Sequence, residues 1–154
     1  MFNDVFEQFP NLHPLFVHFP IALLLAAIVV QLAVLFFPKN TNLKWFTFFL
    51  LLAGCIGAWI AVQTAVHISG DADDKAIEIF ETHRLSGLLT FWFSLAATLL
   101  RFATILWFRK TILEYGLVIL ILSTGIFVTV AGHYGAQLVY IYNTGPQGNN
   151  VMSK

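Results

Sequence analysis

The chain has 154 residues and no net charge; 58% of them are hydrophobic and only 10% are charged, against the roughly 25% charged of soluble domains. That balance excludes an ordinary water-exposed surface, and neutrality gives no bulk attraction for nucleic acid. The single cysteine, Cys55, excludes an internal disulfide and any CxxC metal or redox motif.

Four apolar runs are long enough to cross a bilayer, which takes ~20 residues. The first covers residues 14–37 and is preceded by no basic cluster, so it reads as a retained anchor and not a cleaved signal. Its opening, "NLHPLFVHFPIALLL", carries His13, Pro14, His18 and Pro20. Pro14 suits a first helical turn. Pro20 predicts a kink that loosens the turn holding His18. The connector "PKNTNLK" follows. The second run, 45–69, has small residues Gly54, Ala58, Ala61 and Ala65 at helical spacing and ends near His67. An acidic connector, "GDADDKAIEIFET", reads as a short interfacial helix. The third run, 83–108, starts at His83 and carries Ser86, Thr90, Ser94 and Ala97. The tight hairpin "RKT" leads into the fourth, 112–142, with Gly125, Thr129, Gly132 and Ala136. Such stripes of small residues predict helix packing faces in lipid. Residues 143–154 form a polar tail that is predicted to be mobile. No internal repeat is evident. The expected fold is an all-α integral membrane protein, an antiparallel four-helix transmembrane bundle formed by residues 1–142.

Basic residues set the expected orientation. Lys39, Lys44, Arg101, Arg109 and Lys110 gather at one end, while most carboxylates gather at the other. Both termini are expected on the outer, periplasmic side of a bacterial inner membrane. Arg101 is expected to snorkel to the interface, and Gln31 and Gln63 to bond between helices.

All five histidines fall at the outer end of this topology. His13 and His18 open the first span, His67 closes the second, His83 opens the third, and His133 lies in the outer half of the fourth. Neutral imidazole is a common metal ligand and a haem ligand, and polar groups at membrane depth are usually functional. His18 and His133 reach deepest and form the first expected ligand pair; His13 and His83 form the second. Gly132 and Gly135 leave space beside His133, and Gln137 and Tyr140 fall one and two turns beyond it. His67 is a secondary candidate. No nucleotide loop, nucleophile elbow or HExxH motif is present.

"LHPLFVHFPIALL" resembles the signature of the bacterial transmembrane family designated domain of unknown function 2231. "ETHRLSG" at 81–87 and "GHYGAQLVY" at 132–140 are similar to its later motifs, with Ala136 where a second glycine is usual. The family's pattern lands on His13, Pro14, His18, Pro20, His83, Gly132, Gly135, Leu138, Val139 and Tyr140. His67 is not part of it. The resemblance implies an electron-transfer context, since the family accompanies redox modules. The expected function is a membrane-bound carrier of one or two b-type haems, passing electrons between a periplasmic carrier or quinone and a larger redox complex. Copper or zinc on the same histidines is the first alternative, and a structural subunit of a membrane complex is the second.

Overall fold

In a computed structural model of the chain, residues 13–65, 72–107 and 110–144 are described. They form four α-helices: α1 (His13–Phe36), α2 (Thr41–Gln63), α3 (Asp74–Leu106) and α4 (Thr111–Tyr140). All four are long and apolar enough to cross a membrane. Successive helices run antiparallel, and they close into a ring in which α1 packs on α2 and α4, and α3 on the same two. Helices α1 and α3 therefore stand diagonally opposite, as do α2 and α4.

Local chemistry sets the helix ends. Pro38 and Asn40 stop α1, and the Asn40 side chain then caps α2 by accepting from the Leu43 N–H at 3.2 Å. Helix α3 starts well before His83. Asp73 caps it, its carboxylate accepting from the Lys75 N–H at 2.8 Å, and Asp74 suits the positive end of the helix dipole. The expected separate interfacial helix is thus the first turns of α3, held because Ala76 is fully buried. Residues 66–71, including His67, and the tail from 145 lie outside the described residues.

Helix α1 continues through Pro20. Its ring is buried against Gly57, where a Cβ would stand 3.1 Å from Pro20 Cδ. Closer still, a Cβ on Gly54 would meet Leu24 at 2.6 Å, and one on Gly125 would meet Ile28 at 2.5 Å. The α3 stripe packs as anticipated, with Ser86, Thr90, Ser94 and Ala97 buried, and so do Gly54, Ala58 and Ala61 of α2, while Ala65 lies past the end of α2 and is half-buried. The α4 stripe divides. Gly125 is buried, but Thr129, Gly132 and Ala136 face outward, because the buried face follows Thr124, Val128 and Ala131.

The two hairpins repeat one another at an offset of 70 residues, the separation of Gln31 from Arg101. In α1 the buried positions include Pro20, Leu24, Ala27, Gln31 and Val34; in α3 the equivalent Thr90, Ser94, Ala97, Arg101 and Thr104 are buried. In α2 the buried set is Thr47, Leu51, Gly54, Cys55, Ala58 and Ala61. In α4, Leu117, Ile121, Thr124, Gly125, Val128 and Ala131 match it position for position. The inner boundaries agree as well: Phe36 with Leu106 and Thr41 with Thr111. Both hairpins run the same way, so a pseudo-two-fold axis passes along the centre of the bundle, between α1 and α3. Burial thus repeats along a chain whose sequence shows no evident repeat. The repeat resides in the pattern of burial, while the side chains that carry it mostly differ.

Candidate functional site

The axis carries two polar clusters, one near each end. From His13 to Gln31 in α1, and from His83 to Arg101 in α3, is about five turns of helix, so each pair shares a face ~27 Å apart.

At one end the His13 and His83 rings lie side by side across the axis, with ring centroids 5.9 Å apart and planes at 85°. Each is tied to the other helix of its own hairpin. His13 Nδ1 donates to the Ala61 carbonyl at 2.8 Å, and His83 Nδ1 donates to the Ala131 carbonyl at 2.8 Å. The two bonds span the same 48 residues of chain, and the repeat relates one to the other. A donating Nδ1 leaves Nε2 as the nitrogen with a lone pair. A metal-binding imidazole commonly has this support from its second nitrogen. The Thr64 hydroxyl stands 3.5 Å from His13 Nδ1. Gly135 brings α4 close: a Cβ there would fall 3.1 Å from His83 Cε1 and 3.2 Å from its Nδ1. Burial pushes the His13 imidazole below its ordinary 6.5; the Ala61 hydrogen bond opposes that shift, and His83 adds to it.

The other candidates lie on the outside of the bundle. His18 and His133 both occupy outward-facing positions, on α1 and α4. Gln137 Nε2 lies 2.8 Å from His133 Nε2, and Tyr134 contacts the His133 ring at 5.6 Å. Gly132 is exposed and Tyr140 is 86% exposed. The fold therefore brings together His13 and His83. Among the described residues no group of three or more His, Cys, Asp or Glu side chains is placed to hold a metal ion.

The opposite end holds an ionic network. Arg101 is fully buried, not at the interface. Its guanidinium donates to Glu114 Oε1 at 3.1 Å and pairs with Oε2 at 3.0 Å. It also donates to Gln31 Oε1, and to the Thr104 hydroxyl at 3.3 Å. Lys44 pairs with Glu114 at 3.1 Å, and Gln31 Nε2 donates to the same carboxylate at 3.3 Å. All four helices contribute. Here too the groups are equivalent under the repeat: Gln31 with Arg101, and Lys44 with Glu114. Snorkelling fails because a carboxylate on α4 lies within reach, so pairing replaces hydration. The expected interhelical bond of Gln31 is formed, while Gln63 is exposed.

Fold and hydropathy together define a multi-pass, four-helix membrane protein with polar groups at both ends of its axis. Comparison with known families gives it a place: residues 10–148 match the family described as "Predicted membrane protein (DUF2231)". The chain belongs to that family. No curated protein and no solved structure matches it.

Proposed function

We propose that the protein is a membrane-bound electron-transfer component that holds b-type haem at its histidine end. The observation that supports this reading is the His13–His83 pair. Two imidazoles that shared one metal, each at ~2 Å, would hold their ring centroids roughly 6 Å apart, and the observed spacing is 5.9 Å. Both rings are anchored through Nδ1, so their Nε2 atoms are the coordinating candidates. Haem fits such a pair better than bare zinc or copper. It brings four nitrogens of its own and asks the protein for two axial ligands, whereas a structural zinc site takes four protein ligands.

When bound, haem supplies reversible one-electron chemistry. The chain orients the imidazoles through the Ala61 and Ala131 carbonyls and keeps them within an apolar bundle. Burial of His13 favours the neutral, ligating form. The excess of Lys39, Lys44 and Lys110 at the ionic end supports a cytoplasmic position for that end. The histidine end would then face the periplasm of a bacterial inner membrane, within reach of a soluble carrier or a quinone. The test is a pyridine haemochrome assay with elemental analysis on detergent-purified protein. A haem b spectrum is expected. Copper or zinc in stoichiometric amount without haem overturns the haem reading in favour of metal handling, and neither cofactor leaves a structural subunit.

A further inference from the structure

The internal repeat bears on how many cofactors are held, and by which residues. A ligand pair related by the two-fold belongs to both hairpins equally. His13 and His83 meet that condition in identity, in carbonyl partner and in chain separation. The other described histidines do not. The counterpart of His18 is Leu88, and the counterpart of His133 is Gln63. Both His18 and His133 face away from the axis.

We infer that the chain binds a single haem on its pseudo-two-fold axis, which His13 and His83 would hold as equivalent ligands, one from each hairpin. This rests on the haem reading above. His18 and His133 take no part in ligation. The occupant joins α1 to α3, which are diagonal in the ring and otherwise meet little. It therefore clamps the two hairpins at the histidine end, as the Arg101–Glu114 network clamps them at the other.

The test uses the full-length protein loaded with haemin in detergent. Haem per chain is counted by pyridine haemochrome, and ligation is read from the low-spin optical and electron paramagnetic resonance spectra. One haem per chain is expected. His13→Gly and His83→Gly should each lower haem affinity by about tenfold or more and lose the low-spin signal. Free imidazole should restore that signal in both variants, which also shows that each is folded. His18→Ala and His133→Ala should retain the wild-type spectrum and stoichiometry. Two haems per chain, or low-spin haem that survives either glycine variant without imidazole, overturns the inference while leaving the haem reading in place. Loss of ligation in His18→Ala or His133→Ala does the same. Failure of the wild-type protein to take up haem overturns the haem reading itself, and this inference with it.

Discussion

At Gly135 a methyl group fits only if its neighbour gives by a few tenths of an ångström. Its carbon would stand 3.1 Å from His83 Cε1, and the imidazole cannot retreat without stretching its 2.8 Å bond to the Ala131 carbonyl. Gly135→Ala should therefore cost about 1–3 kcal/mol, the usual scale of overpacking, and weaken haem binding alongside. Gly87, one turn beyond His83 on the same helix, has nothing within 4 Å of its missing Cβ. Gly87→Ala should be neutral or stabilise by about 0.5–1 kcal/mol through helix propensity. Thermal unfolding of the two variants in one detergent checks the contrast. His13 gives a second prediction at this scale. Its pKa in the folded protein lies below 6.5 because burial disfavours the charged form. Folding thus favours the neutral ring, and the stability it contributes is present above 6.5 and lost as pH falls through the lower folded value. A metal competes for the same neutral nitrogen. Acidification from neutrality should lower the melting temperature and release haem together, and His13→Gln should flatten the melting profile over that range. A profile unchanged by the substitution would exclude His13 as the sensor.

Among the elements, the four spans were legible because each is a long, nearly charge-free run between turn residues, and hydropathy alone marks such runs. The early start of α3 was less legible. Acidic residues argued for an interface, and only the burial of Ala76 shows them to be a helix end. The clustering of histidines at one end could be read from topology, but the pairing could not. Depth along a helix follows from counting residues, whereas facing across the bundle depends on which helices are diagonal. Arg101 departs from its expected place at the interface for the same reason: its partner Glu114 is close in sequence but belongs to the next helix, and Gln31 comes from the far diagonal. The network they form, with Lys44, links all four helices. Glu114→Gln leaves a buried guanidinium without its counter-charge and should destabilise the protein by about 3–5 kcal/mol. Arg101→Met combined with Glu114→Leu removes both charges and should recover much of that loss. Chemical or thermal unfolding of the single and double variants measures the difference, and a double variant no better than the single would show that desolvation is not the dominant cost.

The whole molecule is two copies of a hairpin that share a burial pattern and differ in chemistry. Identical residues across the repeat, such as Ala27 with Ala97, Leu43 with Leu113 and Ala61 with Ala131, are types common in any membrane helix. Similarity of sequence alone therefore leaves the repeat unmarked. The two ends of the axis have diverged differently. The histidine end has the same residue in both halves, as the proposed symmetric ligand pair requires. The ionic end sets Gln31 against Arg101 and Lys44 against Glu114, since two arginines or two glutamates facing each other across the axis would repel within a low-dielectric core. A two-fold relation makes a strong demand: the network should work equally well turned half a revolution. The quadruple variant Gln31→Arg, Lys44→Glu, Arg101→Gln, Glu114→Lys moves each group to its equivalent position. It should fold to a monodisperse protein, short of wild-type stability by about 0.5–1.5 kcal/mol. The shortfall has a named source: Arg101 donates to Thr104, and the position equivalent to Thr104 is Val34, which has no hydroxyl. Gln31→Arg alone places a second guanidinium beside Arg101 with one carboxylate between them, and should be severely destabilised. Melting temperature and size-exclusion profile in detergent distinguish these outcomes. If the quadruple variant is as unstable as the single one, the two halves are not interchangeable at the ionic end, and the symmetry extends to backbone and burial but not to charge.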